Sequence, residues 1–191
     1  MGNLTDHFAG GGGGGGGNVL EQLAFQCKGD AMTDSFGNTI TPENVTSYQS
    51  GQTTTWTKVN GSQIDYTPPE GTTKVIYEFR MQIGWSQGTH NIGHFQVYVD
   101  NTAITDTYHT SGGYYREDEV VLTSVFDINS SNADSNPNAK FASWTSDKTI
   151  KVMGRGYSTS NYWYRWHLTQ YSNGGGTDIF TGPKLIITAL K

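Results

Sequence analysis

The stretch of residues 73–100 reads TKVIYEFRMQIGWSQGTHNIGHFQVYVD and carries the clearest periodicity in the chain. Its apolar residues alternate with polar ones, as in strands that are buried on one face only. The predicted inward set is Val75, Tyr77, Phe79, Met81, Ile83 and Trp85, followed by Phe95, Val97 and Val99. A polar, glycine-containing loop separates the two runs, so the pattern predicts an antiparallel hairpin. Because one face of such a sheet is exposed to solvent and the other is apolar, a second layer should cover the apolar face.

The composition favours an all-β protein of one domain. Of 191 residues, 34% are hydrophobic, 13% aromatic and only 15% charged, which excludes a solvated, disordered chain. The net charge of −5 argues against nucleic acid and anionic membranes as partners, and no apolar run is long enough to span a membrane. Since Cys27 is the single cysteine, no internal disulfide can form.

Turn signals separate further alternating runs along the chain. Asn60-Gly61 joins two of these runs and predicts a type I′ hairpin. The runs cover residues 53–59, 62–67, 119–128, 148–155, 162–171 and 184–190. Short strands at this spacing, without helical crossovers, predict an antiparallel β-sandwich of jelly-roll type over residues 30–191.

Residues 1–17 predict an extended, glycine-rich attachment arm. Eight consecutive glycines, from Gly10 to Gly17, cannot form a strand or helix core, because glycine loses the most backbone entropy and has no side chain to bury. Leu4 and Phe8 precede the run and are the expected apolar anchors on a partner. A flexible tether is the simpler alternative for such a composition.

Residues 18–29 are predicted to form a short amphipathic helix. Their apolar positions follow the i, i+3, i+4 rule, with Asn18 as N-cap and Glu21 as its capping-box partner. About three turns are too few to be stable alone. The stripe that contains Leu20, Leu23 and Cys27 should therefore pack on the sandwich or on the same helix of neighbouring subunits, as an oligomer interface.

The densest aromatic stretch, at residues 162–171, predicts a contact surface. On a strand, Tyr162 and Trp163 would face opposite ways, and Arg165 and His167 would share the face of Trp163. One set should be core, and the other should contact a neighbouring subunit or stack on a glycan.

Three clusters of polar residues are weaker candidates for chemistry. His90 and His94 have a spacing that aligns metal ligands on a helix but not around a hairpin loop. The Asn/Asp-rich loop 127–138 offers oxygen ligands for calcium, without the order of an EF-hand, and is more typical of turns. The carboxylates 117–119 are consecutive, so they cannot all face one catalytic site. We expect no enzyme activity, no cofactor and no metal.

The sequence resembles a group of small virion proteins of tailed phages, particularly marine and cyanobacterial ones. The resemblance rests on N-V-L-E-x-[LF]-A at residues 18–24, Y-T-P-P-x-G-T-x-x-V-I-Y-x-F at 66–79, A-S-W-T-S-x-K-T-I-K at 142–151 and I-T-A at 187–189. It implies a phage structural protein with a β-sandwich head, similar to trimeric fibre knobs and capsid decoration proteins.

Residues and resemblance together predict a non-enzymatic protein located in the virion. The expected partners are two further copies of the chain, in a homotrimer, and other virion proteins such as capsid or tail proteins. The arm would attach the chain, as a decoration, cement or fibre component. A receptor- or glycan-binding module of a tail fibre, contacting host surface glycan, is the alternative, and a small polysaccharide-degrading enzyme is a third.

Overall fold

The computed structural model describes residues 18–50, 54–85, 92–113, 117–158, 164–171 and 177–191, and it confirms an all-β protein. Its strands are β1 (Val19–Phe25), β2 (Met32–Thr33), β3 (Thr39–Ile40), β4 (Gln49–Ser50), β5 (Thr57–Lys58), β6 (Ile64–Tyr66), β7 (Lys74–Trp85), β8 (Gly93–Val99), β9 (Thr102–Ala103), β10 (His109–Ser111), β11 (Asp118–Ile128), β12 (Lys140–Phe141), β13 (Lys148–Gly156), β14 (Tyr164–Trp166), β15 (Leu168–Tyr171), β16 (Thr177–Phe180) and β17 (Lys184–Leu190). Short 3-10 helices cover Thr105–Thr107 and Asn136–Asn138. Within these ranges, no helix is long and apolar enough to cross a membrane.

The strands form two larger sheets and two small ribbons. The seven-stranded sheet has the order β1-β17-β7-β11-β12, with β14 paired to both β7 and β4. The six-stranded sheet has the order β10-β8-β13-β5, with β6 paired to β13 and β9 to β8. The ribbons are β15-β16 and β2-β3. The pairing of β11 with β12 is parallel, and the other strand pairs of the described chain are antiparallel.

The buried faces of the two larger sheets belong to one hydrophobic core. The predicted inward residues Tyr77, Phe79 and Val97 are fully buried in it. The ring of Phe95, on β8, packs edge-on against Trp166 of β14, with 5.7 Å between the ring centroids. Gly154 on β13 leaves space for this contact, since a Cβ there would lie 2.7 Å from the Trp166 ring. Small and large residues therefore interlock across the core.

The predicted hairpin of residues 73–100 is wrong in its pairing. β7 lies between β17 and β11 in the seven-stranded sheet, whereas β8 lies between β10 and β13 in the other sheet. Each strand buries the face that its alternation indicates. Alternation reports which side of a strand is buried, and it does not report which strand is the neighbour.

The predicted helix at residues 18–29 is also wrong, because residues 19–25 form the strand β1. Glu21, Leu23 and Phe25 point inward at every second position, and β1 pairs antiparallel with β17. The apolar spacing of this segment is compatible with both periods. A helix of three turns has little stability on its own. Backbone pairing with β17 and burial in the core therefore favour the strand.

Two further local predictions are corrected by the pairing and the backbone angles. β5 and β6 do not pair with each other, because both pair with β13. The turn between them has a positive φ at Gly61 but not at Asn60, whereas a type I′ turn needs both. The strand predicted over residues 162–171 is interrupted at His167, whose φ of 66° separates β14 from β15.

Candidate functional site

The outer face of the six-stranded sheet carries a cluster of aromatic and cationic side chains. We call it the aromatic face and define it by Trp56, His94, Tyr98, Tyr108, Arg155 and Tyr157. Along β8 the odd-numbered residues are buried, so His94 and Tyr98 point outward. Along β13 the even-numbered residues are buried, so Arg155 points outward beside His94, its register partner. Trp56 and Tyr108 reach this face from the segments that precede β5 and β10.

Ring contacts connect the members of the aromatic face. The ring of Trp56 lies 6.5 Å from Tyr98 and 6.1 Å from Tyr108, the second contact being edge-on at 81°. His94 lies between two tyrosines, 5.5 Å from the ring of Tyr108 and 6.0 Å from that of Tyr157. Such distances are typical of aromatic pairs that stabilise one another. The cluster is therefore an ordered surface and not a set of isolated side chains.

Tyr108 and Tyr157 are the open part of this surface. Their exposed fractions are 49% and 57%, while Trp56, His94 and Tyr98 are half-buried. Exposed aromatic rings grouped on one face mark a contact surface more often than isolated ones do. The tyrosines supply apolar ring faces together with hydroxyl groups, so the surface can contact a ligand that is both apolar and polar.

Arg155 supplies the positive charge of the aromatic face. Its guanidinium carbon lies 5.1 Å from the centre of the Trp56 ring, in the geometry of a cation–π contact. In the described part of the chain, no carboxylate pairs with Arg155, and its buried Nε atom has no hydrogen-bond acceptor. Because this Nε–H is buried, an anionic partner would have to pair with the other N–H groups of the guanidinium.

His94 is held neutral by its surroundings. Partial burial, together with the positive charge of Arg155, lowers the pKa of His94 below its ordinary value of 6.5. Its Nδ1 atom lies 2.9 Å from the hydroxyl oxygen of Thr110 on β10. At neutral pH the ring is therefore an uncharged hydrogen-bonding group between the tyrosines.

The structure separates the residues that were predicted as an oligomer interface. Leu23 and Cys27 are fully buried in the core of this chain, and Cys27 donates a hydrogen bond to the carbonyl of Gly61. Burial, and then the negative charge of Glu43, raise the pKa of the Cys27 thiol to about 12. Leu20 points to the other side of β1 and is 37% exposed. The three residues therefore do not form the single apolar stripe that the helix prediction requires, because Leu23 and Cys27 are buried within this chain.

The predicted contact surface around residue 163 is likewise divided. Arg165 forms an ion pair with Asp178 and stacks on Tyr48, with 4.4 Å to the ring centre. His167 is fully buried, so its predicted role on the surface is wrong. Tyr162 and Trp163 lie outside the described residues, as do His90 and the attachment residues Leu4, Phe8, Gly10 and Gly17.

His167 occupies an unusual environment inside the protein. Neither ring nitrogen has a hydrogen-bond partner of good geometry in the described residues. Burial lowers the pKa of His167 to about 4, and the nearby Asn60 backbone and Glu43 carboxylate oppose this only in part. The backbone is left-handed at this position, a conformation that is uncommon for residues other than glycine and is adopted most often by Asn, Asp and His.

The acidic residues of one cleft and of the loop 127–138 form hydrogen bonds and ion pairs within the protein. An open cleft of about 530 Å³ is lined by Asp34, Glu43, Asp65 and Asp147 among others. Asp34 accepts bonds from its own turn, Glu43 pairs with Lys58, and the other two accept bonds from threonines. In the loop 127–138, Asp127 and Asp134 likewise accept bonds from the protein. Among the described residues, no three His, Cys, Asp or Glu side chains are grouped as a metal site requires.

The aromatic face could be found from the sequence only in part. His94 and Tyr98 lie at the outward positions of an alternating strand, which is a visible signal. Trp56, Tyr108 and Arg155 come from distant segments, and only the order β10-β8-β13-β5 brings them together.

No protein-family model matches the sequence, and no curated protein matches it at a significant level. Among solved structures, the EclA C-terminal domain, described as a sugar-binding protein, matches with a TM-score of 0.34 and 9% sequence identity. The match covers 76% of this chain and 73% of that one.

Proposed function

We propose that the chain is a non-enzymatic structural protein of a tailed-phage virion, attached to the particle by residues 1–17. Its body would be a jelly-roll-like β-sandwich displayed on the surface, as a capsid decoration or fibre component. The sequence resemblance suggests the virion. The position of Asn18, where residues 1–17 join the body, supports the proposed mode of attachment.

The root of the arm is fixed to the edge of the seven-stranded sheet. Asn18 leads directly into β1, the edge strand, which pairs with the C-terminal strand β17. The backbone N–H of Lys191 donates a bond of 2.7 Å to the carbonyl oxygen of Asn18. A partner that binds residues 1–17 would therefore be connected to the body through this edge of the seven-stranded sheet.

The test of attachment uses particles that lack the protein. The full chain with Leu4→Ser and Phe8→Ser should keep its melting temperature and lose most of its binding, because each apolar anchor contributes about 1.5–3 kcal/mol when fully buried. A chain that starts at Asn18 should behave in the same way. The control is Leu20→Ser, which changes an exposed leucine beyond the arm. Undiminished binding of the two arm variants would place the attachment site on the body.

The proposed homotrimer needs an interface other than the predicted helix. The outer face of the seven-stranded sheet offers one, because Val121 and Val125 on β11 are 37% and 50% exposed. Val125 pairs with Ile76 of β7, so apolar side chains continue across the outer face. Apolar groups that protrude from a sheet gain free energy when a second copy covers them.

Light scattering tests the trimer. The purified chain should have three times the monomer mass at micromolar concentration, and Val125→Glu should reduce it by placing a charge in the contact. Ser130→Glu adds the same charge on an exposed loop and should leave the mass unchanged. A monomeric mass for the unmodified protein would contradict the proposal.

A second candidate function is glycan binding, which the aromatic face specifically favours. A pyranose ring has a face of C–H groups that packs on aromatic rings, while its hydroxyls require polar partners. Tyr108 and Tyr157 supply exposed rings, and His94 between them supplies a polar atom. Titration with oligosaccharides tests this candidate, and substitution of Tyr108 by Ser should weaken every saccharide that binds.

A further inference from the structure

We infer that the aromatic face binds an acidic saccharide, a pyranose that carries a carboxylate, with Arg155 as the group that recognises the charge. This inference rests on the proposed glycan-binding function and adds the chemical class of the ligand. It is independent of attachment to a virion.

The shape of the aromatic face suits a ring-shaped ligand. The edge-on contact of Trp56 with Tyr108 places one ring against the plane of the other, so the two rings make a corner instead of a flat surface. The ring of His94 contacts both Tyr108 and Tyr157. A ring-shaped ligand with one apolar side can lie against such a corner, with its hydroxyls directed to the histidine and the tyrosine hydroxyls.

The charge of Arg155 favours an acidic ligand. Within the described residues, other cations near this face have partners: Lys58 pairs with Glu43, and Lys151 bonds to the Asn101 amide oxygen. Among the same residues, the Trp56 ring stacks on the guanidinium of Arg155, and no carboxylate pairs with its N–H groups. A guanidinium presents parallel N–H donors that fit a carboxylate, so an acid on the ligand would complete the set of bonds.

The aromatic face differs in charge from the protein as a whole. The protein has a net charge of −5, which disfavours association with anions in general. Among the described residues, Arg155 is a cation without an acidic partner on a face of aromatic rings. It therefore gives this face a local selectivity for anions. A neutral sugar would use the rings and leave the charge of Arg155 unmatched.

The experiment titrates the full-length protein with two matched pairs of probes. Sialyllactose is compared with lactose, and an oligogalacturonate with its methyl ester, so that each pair differs in charge. In at least one pair the acidic member should bind about tenfold more tightly, since a charged hydrogen bond contributes that factor. The difference should decrease as salt is added. The two pairs also distinguish a sialic acid from a uronic acid.

Substitutions assign the effect to Arg155. Arg155→Gln should bring the acidic and neutral members to within about twofold of each other, while Arg155→Lys should keep part of the preference because it keeps the charge. Arg80→Gln is the matched control, since Arg80 lies on the other sheet and pairs with Glu78. The melting temperature of each variant shows that it is folded.

Each outcome decides between distinct conclusions. Equal binding of both members of each pair would keep the glycan-binding function and overturn the acid specificity. An acid preference that survives Arg155→Gln would overturn the role of Arg155. Absence of binding to all four probes would overturn the glycan-binding function as well.

Discussion

The hydroxyl of Tyr66 donates a hydrogen bond of 2.6 Å to the carboxylate of Glu21, and the two residues belong to different sheets. Glu21 lies on β1 and is 8% exposed, while Tyr66 lies on β6 and is fully buried. The second carboxylate oxygen accepts the backbone N–H of Ser35. Burial, and then the bond to Glu21, raise the pKa of Tyr66 well above its ordinary value of 10. This polar contact therefore fixes β1 to the opposite sheet at one position.

Removal of the Tyr66 hydroxyl should destabilise the protein measurably. Tyr66→Phe leaves the buried Glu21 carboxylate without one of its donors, which should cost about 1.5–3 kcal/mol because the acceptor is charged. Tyr77→Phe is the matched control: the Tyr77 hydroxyl donates to the neutral carbonyl of Ser62 at the same distance, 2.6 Å. That variant should lose about 0.5–1.5 kcal/mol. Urea unfolding at neutral pH measures both, and a larger loss for Tyr77→Phe would contradict the assigned role of Glu21.

Leu20 and Leu23 distinguish a strand from a helix at the N-terminal end of the body. Leu23 is fully buried in the core and Leu20 is 37% exposed. Leu23→Ala should therefore cost about 2–5 kcal/mol, and Leu20→Ala should stay within about 0.5 kcal/mol in the isolated chain. Thermal unfolding at low protein concentration measures both. Equal losses would indicate that the two leucines share one buried stripe, as in a helix.

The sequence identified strands better than it identified their neighbours. Alternation places Tyr77 and Phe79 on the inner face, and the last strand is β17 as expected. The pairing of β7 with β17 and β11 depends on connections that alternation does not encode. At β1 the sequence pattern fits both periods, and it does not reveal that Glu21 bonds to Tyr66, 45 residues away.

The candidate site was less predictable than the fold. The dense aromatic stretch near residue 165 predicts a contact surface, yet its Arg165 is paired with Asp178 and its His167 is buried. The aromatic face consists of side chains that are isolated in the sequence, such as Trp56 and Arg155, which come together only across neighbouring strands. A surface of this kind needs the strand order before it can be recognised.

Gly84 should not tolerate a side chain. A Cβ there would lie 2.6 Å from the carbonyl oxygen of Leu168 and 2.5 Å from its Cδ2 atom, so the backbone of β15 would have to move. Gly84→Ala should cost about 1–3 kcal/mol by overpacking. Gly182→Ala is the matched control, because the nearest atom to a Cβ there, the carbonyl oxygen of Gln26, is 3.8 Å away. Urea unfolding compares the two variants, and equal stability of both would show that β15 can shift at no cost.

His167 should make the protein sensitive to mild acid. Its pKa is lowered by burial to about 4 in the folded chain, against an ordinary value of 6.5. Between these two values the unfolded chain binds a proton that the folded chain does not, so the free energy of unfolding should fall as the pH falls. The full stability is present above pH 6.5, and about 3 kcal/mol should be lost as the pH is lowered through 4.

His167→Asn isolates this effect. Asparagine tolerates the left-handed backbone of this position and carries no titratable proton. Urea unfolding of both proteins between pH 7.5 and 4 should show a steep loss for the natural chain and a shallower one for the variant. His94, whose pKa is also lowered, is present in both proteins, so its contribution cancels in the difference. If the two proteins lose stability in parallel, His167 does not control the acid response, because only its proton uptake distinguishes the two curves.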